Sequence, residues 1–297
     1  MARPSAPAPK SYIEDTEIGL DLDLDQIERD YKIDVQLQEK RRRAEDYTWL
    51  LHGPPKIGKS TLCALLKDPT TKKAPFFFRF EEGTKGLTTY GCSPVGWEAY
   101  KNYLRNLWKM RRKMKNDFPF NYFIMDTVDL QFKQCHAYIS KKHKITHASD
   151  MEWGKGWEFL VDEFARVSAF VQKFNVGVIL ISHSKEAEIK TRTMSVTKMQ
   201  PTLTGTGRRV ILPAVDIIGY CSYDTLEDIS DAEKFKARRI IRFDPSEEWE
   251  AGDRSGYLPA KVRLNPLSIL KHFPGNKKLV RRLEKDEHYM EQIGRLR

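Results

Sequence analysis

Cysteine is scarce in this sequence: four in 297 residues, Cys63, Cys92, Cys135 and Cys221, with no CxxC pair among them. That scatter excludes a disulfide framework and a zinc ribbon, and it predicts a reducing, cytoplasmic setting. His136, His143 and His147 lie near Cys135 but lack a second cysteine or an acidic partner at ligand spacing, so no zinc-type centre is expected. Also missing is any apolar run near the roughly 20 residues that a membrane-spanning helix needs. The first ten residues, MARPSAPAPK, lack the apolar core of a secretory leader. A soluble chain with no membrane partner is the expectation.

Acidic residues are absent from one stretch, 101–115, which reads KNYLRNLWKMRRKMK. The net charge of +10 is therefore unevenly placed: 13–30 is rich in acids, whereas basic runs recur at 101–115, 185–209 and 271–297. Such basic surface attracts polyanions, nucleic acid among them; the alternative for any single run is a solvated helix face.

Residues 1–46 read as a charged N-terminal arm outside the core, acidic over most of its length and partly disordered. From Tyr47 the texture changes. Short apolar runs at 47–53, 75–80, 121–126, 176–183 and 215–223 alternate with helical patterns at 59–67, 94–115, 129–142 and 155–174. This alternation predicts an α/β fold with a mainly parallel central sheet flanked by helices. RRIIRFD (238–244) and YLPAKVRL (257–264) read as a C-terminal β-hairpin closing a core over 47–265, and 266–297 reads as a basic helix and tail. The polar, basic segment 184–209 is either a mobile loop or a loose hairpin.

One motif is specific. GPPKIGKST runs from Gly53 to Thr61 between a strand and a helix, with Gly53, Gly58, Lys59 and Ser60 at P-loop spacing. Such a loop turns backbone N–H groups inward around phosphates, so Gly53, Pro54, Pro55, Lys56, Ile57, Gly58, Lys59, Ser60 and Thr61 are the expected ATP contacts. Lys59 brings a cation to the β- and γ-phosphates, and Ser60 offers a hydroxyl to Mg²⁺. NYFIMDTVD ends an apolar strand in Asp126, the expected second Mg²⁺ partner, with Asp129 as the cap of the next helix. Glu81 and Glu82 follow the strand PFFFRF at the same sheet edge and are candidates to activate water. His183 ends the strand VGVILISH, where a polar side chain can report the γ-phosphate to the following loop.

Taken in order, GPPKIGKST, FEEGTKGL, MDTVD, ISHSKE, TLTGTGRRVILPAVDII and AGDRSGYLP resemble the phage RecA-like P-loop ATPases of the Sak single-strand annealing type. The likeness spans about 47–265, with Arg79 standing where the family motif carries its first acid. It implies a RecA-like ATPase core and a role in phage DNA recombination, annealing, repair or replication. It also implies partnership with single-stranded DNA and a single-strand-binding protein, and self-assembly into a ring or filament with ATP between subunits. On the same resemblance Glu81 is preferred to Glu82 as the catalytic base. The segment 184–209 takes the place of DNA-binding loops, which makes Lys185, Lys190, Arg192, Lys198, Arg208 and Arg209 phosphate-contact candidates. Arg254 becomes a candidate catalytic finger entering the neighbouring subunit's site. The alternatives are a nucleotide-switched accessory module, such as a helicase loader or packaging factor with little turnover, and a small-molecule kinase. The kinase is disfavoured because no Arg-rich lid follows at the usual place.

Overall fold

The computed structural model describes residues 38–145, 155–190, 195–224, 238–294 and 296, with the backbone alone at Lys190. Residues 41–297 form one compact unit; of the unit that precedes it only 38–40 are described. Among the described residues ten strands build one sheet: β1 (Thr48–Gly53), β2 (Ala74–Arg79), β3 (Tyr90–Cys92), β4 (Phe120–Asp126), β5 (Gly177–Lys190), β6 (Ser195–Pro201), β7 (Ile217–Tyr223), β8 (Arg239–Arg242), β9 (Gly252–Asp253) and β10 (Lys261–Arg263). Across the sheet they run β10-β8-β7-β1-β5-β4-β2-β3, with β6 added to β5 and β9 to β7. The six strands from β7 to β3 are parallel. Their centre is apolar on both faces, as β4 shows: its last five residues are all buried. A strand buried on both sides requires helices above and below.

Period-two alternation assigns each strand residue to a layer. Trp49 and Leu51 of β1 pack with α1 (Lys59–Ala64), and Leu50 faces the opposite layer of α2 (Trp97–Met114), α3 (Val128–His143), α4 (Lys155–Gln172) and α5 (Gly205–Ala214). The expected α/β class with a mainly parallel, helix-flanked sheet is what the structure has. The expected hairpin is also present, as β8 paired antiparallel to β10 with Val262 opposite Ile241, and it extends the sheet beyond β7 rather than standing apart.

Three expectations change. Strand β5 does not stop at His183: it runs on to Lys190 and pairs antiparallel with β6, Ala187 opposite Lys198, so of the two alternatives for this segment 184–190 and 195–201 take the hairpin, and Arg208 and Arg209 lie beyond it on α5. Residues 41–46, expected in the arm, join the core. Ala44 is buried, its N–H donates to Asn276 Oδ1 at 2.8 Å, and its carbonyl accepts from Trp49 Nε1. The stretch after 265, expected as a basic helix and tail, folds as three helices among the described residues, α6 (Pro266–Leu270), α7 (Lys277–Leu283) and α8 (Glu287–Gly294). Phe273, Leu283 and Tyr289 in it are fully buried against the α1 side of the sheet. The Tyr289 hydroxyl donates to the Leu65 carbonyl at 2.8 Å.

Candidate nucleotide site

An open parallel sheet gathers its functional groups at the carboxyl ends of its strands. Register does so here: Gly53 pairs with His183, Asp126 with Ile181, and Arg79 with Asp126. One strand, β5, separates β1 from β4, which leaves room at this edge for a ligand between the loop after β1 and the acid at the end of β4.

The loop 54–58 connects β1 to α1. Gly53 is tightly enclosed, since a Cβ there would lie 2.4 Å from the Cys221 carbonyl oxygen. Gly58, at φ +111°, holds the left-handed conformation that opens the helix start. Ile57 is buried in the core while Pro55 and Lys56 are exposed, so the loop is anchored by one side chain. Lys59 is only 5 % exposed, and its Nζ donates to the carbonyls of Gly53 (2.8 Å) and Pro54 (2.9 Å). It makes no ion pair among the described residues. Burial lowers its pKa, opposed by nearby anionic groups, Asp126 and Glu81 included. A buried cation held only by neutral carbonyls is poised for an anionic ligand.

Ser60 turns its hydroxyl toward Asp126, donating to Oδ2 at 2.8 Å. Asp126 is 1 % exposed, and burial raises its pKa, against which the Ser60 hydrogen bond and the charge of Lys59 act. Hydroxyl and carboxylate together are the hard oxygen donors that Mg²⁺ selects, and a cation would relieve the cost of a buried charge. These residues fit ATP and Mg²⁺.

Glu81 and Glu82 part company. Phe80 and Glu81 donate their N–H groups to the Asp126 carbonyl, which carries the chain from β2 over β4. Glu81 Oε2 then lies 3.6 Å from His183 Nε2, with both side chains about one-third exposed. Glu82 points to solvent and pairs with Lys85 at 2.5 Å. Arg79 donates to the carbonyl and hydroxyl of Thr89 (2.9 and 2.8 Å), so this basic residue braces the 84–90 segment.

The other expected site residues are dispersed. Lys185 and Lys198 share one face of the β5–β6 hairpin, but Lys198 is paired with Glu250 at 3.2 Å. Arg208 and Arg209 sit in the first turns of α5, whose Thr204 cap accepts from Gly207 N–H at 3.1 Å. Arg192 and the side chain of Lys190 lie outside the described residues. Arg254 follows β9 at the start of β7, the sheet edge opposite the loop 54–58. It is exposed and donates to the Pro213 carbonyl at 2.9 Å, while Asp253 is occupied by Ser255 and Leu258.

Three residues near the site were not singled out for it. Asp129, read as a helix cap, accepts on Oδ1 from Thr202 (2.7 Å) and Ser182 (3.1 Å) instead; the cap position is Thr127. His52, fully buried, bridges Ser184 Oγ (2.8 Å) and the Glu250 carbonyl (2.6 Å), and burial pushes its pKa down to about 4. Its signal was a polar residue in the otherwise apolar run TWLLHG. Arg239 of β8 donates to the Ile57 carbonyl at 3.4 Å, and no local pattern marks it. Among the described residues no helix is long and apolar enough to cross a membrane.

The family described as the AAA domain matches residues 45–255. No curated protein matches the chain. Among solved structures, a KaiC-like protein from the hyperthermophilic archaeon Pyrococcus horikoshii OT3 is similar at 12 % identity and a TM-score of 0.36, covering 67 % of this chain and 78 % of that one.

Proposed function

This chain belongs to the AAA-domain family, and on that premise we propose that it binds Mg-ATP through residues 53–61 and hydrolyses it under the control of single-stranded DNA. The observation that carries the reading is the meeting of Ser60 with Asp126 at 2.8 Å beside the buried Lys59. In this reading Lys59 neutralises the β- and γ-phosphates, and Ser60 and Asp126 hold Mg²⁺. Glu81 accepts the proton of the attacking water, with His183 fixing its orientation from 3.6 Å away. The finer role, recombination or annealing of phage DNA in a self-assembled ring or filament, beside a single-strand-binding protein, rests on the order of the motifs. So do the DNA contacts of Lys185, Lys190, Arg192, Lys198, Arg208 and Arg209.

A second reading, a nucleotide-switched module with little turnover, has its own support. The hairpin is rooted at the site through Asp129–Thr202 and His52–Ser184, so nucleotide state alone could be read out there. Phosphate release with and without oligothymidylate separates the two. The first reading expects stimulation, and loss of about 10²-fold or more in Lys59→Ala. Wild-type turnover in Lys59→Ala would remove the first reading, and wild-type nucleotide affinity in the same variant would remove the second.

A further inference from the structure

The run 101–115 carries seven cations and no acid, and folding sorts them. Lys101 is buried, with Nζ 2.9 Å from Glu98, 3.1 Å from Glu163 and 4.0 Å above the Tyr138 ring. Arg111 turns inward, donating to the Phe174 and Lys115 carbonyls and lying over Phe118. The remaining five, Arg105, Lys109, Arg112, Lys113 and Lys115, are exposed. Among the described residues no carboxylate lies within ion-pair distance of any of them; Arg105 bonds the Asn102 side chain and feels the charge of Glu98 two turns away.

At 3.6 residues per turn, Arg105, Lys109, Arg112 and Lys113 fall within about 100° of arc on α2 and over about 12 Å of its length. The opposite arc, Tyr100, Leu104 and Leu107, is buried in the core. Asn102 stands about one turn before the first of these cations on the same stripe, and Asn106 flanks its edge. The helix's one acid, Glu98, is held by Lys101 at the start of that stripe. The β5–β6 hairpin offers less: Glu186 and Glu188 alternate with its lysines, and Lys198 is neutralised by Glu250.

We infer that the outward stripe of α2 binds the phosphate backbone of nucleic acid, independently of base sequence. Four cations without an ion pair, spread along about two turns, match a repeating charge better than a single phosphate group, and the asparagines add donors for phosphate and sugar oxygens. An anionic membrane is the poorer partner, because a helix that lies in a bilayer surface needs an apolar face to insert, and the apolar face of α2 is already buried.

The test is fluorescence anisotropy of a labelled oligothymidylate across a salt series, with no nucleotide present, so its outcome does not depend on the ATPase reading. R105A/K109A/R112A/K113A should bind more weakly and lower the slope of log K against log salt by about 3, at about 0.7 per lost phosphate contact. K109Q/K113Q should lose about half of that, and R105K/R112K should keep the slope; circular dichroism and melting temperature verify folding. An unchanged slope in both neutralising variants overturns the inference, and so does a wild-type protein that binds no oligothymidylate. Loss of binding to phosphatidylserine vesicles with oligothymidylate binding intact overturns it in favour of a membrane.

Discussion

At the scale of single residues the site separates two neighbouring glutamates by direction. Glu81 faces His183 and the end of β4, whereas Glu82 is fully exposed on Lys85. Glu81→Gln should therefore lower ATP turnover by about 10²- to 10⁴-fold while leaving ATP binding intact, and Glu82→Gln should change neither; single-turnover hydrolysis beside fluorescent-nucleotide titration reads both. His52 makes a second residue-level prediction. Its folded pKa of about 4 lies below the ordinary 6.5 because burial penalises the imidazolium. Between those values the unfolded chain binds more protons than the folded one, so stability is complete above about pH 6.5 and falls with pH until about 4. The contribution is at most about 3 kcal/mol. His52→Gln should flatten the acid limb of a melting-temperature profile; parallel profiles would clear His52 of that role.

At the scale of elements, the hairpin gives the clearest prediction. Thr202 directly follows its second strand, with N–H on the His183 carbonyl at 2.9 Å and hydroxyl on Asp129 at 2.7 Å. Thr202→Val keeps the shape and removes the hydroxyl, leaving the carboxylate less well satisfied at a cost of about 2 kcal/mol. Faster amide exchange confined to 184–201 is the expected result. Elements were legible where burial wrote a pattern. TWLLHG, FFFRF and NYFIMD are apolar enough to read as strands, and GPPKIGKST fixes its own loop and helix start. The outer half of β5 was legible only as one of two alternatives, a loose hairpin beside a mobile loop, because SKEAEIK carries just Ala187 and Ile189 as apolar residues and owes its extension to β6. The packing of the stretch after 265 was not legible: in KKLVRRL only Val280 and Leu283 are buried, and four cations hide that pair from a periodicity reading. Asp129 misled for a different reason, since an acid in the first helical turn suits a cap and a long-range acceptor equally.

On the scale of the whole molecule, Arg254 and the loop 54–58 occupy opposite sheet edges. β1 alone spans about 20 Å between them, so any catalytic role for Arg254 must be played on another copy. Mixing Arg254→Ala with Lys59→Ala chains, each about 10³-fold impaired, should then restore part of the activity; full activity in Arg254→Ala alone would leave a self-contained ATPase. The connection from site to surface within one chain is of another kind. β5 runs from Gly177 to Lys190 with no glycine or proline after its first residue, first clamped between β1 and β4, then standing out as half of the hairpin. Mechanically it is a single beam, clamped in the sheet over its first half and held over its second by β6, which is itself tied to 248–250, with Ser182 and His183 at the clamp. A load on the outer half is not absorbed by a hinge but bends the strand beneath the phosphate site. Pinning the hairpin and filling that site therefore strain the same spring from its two ends.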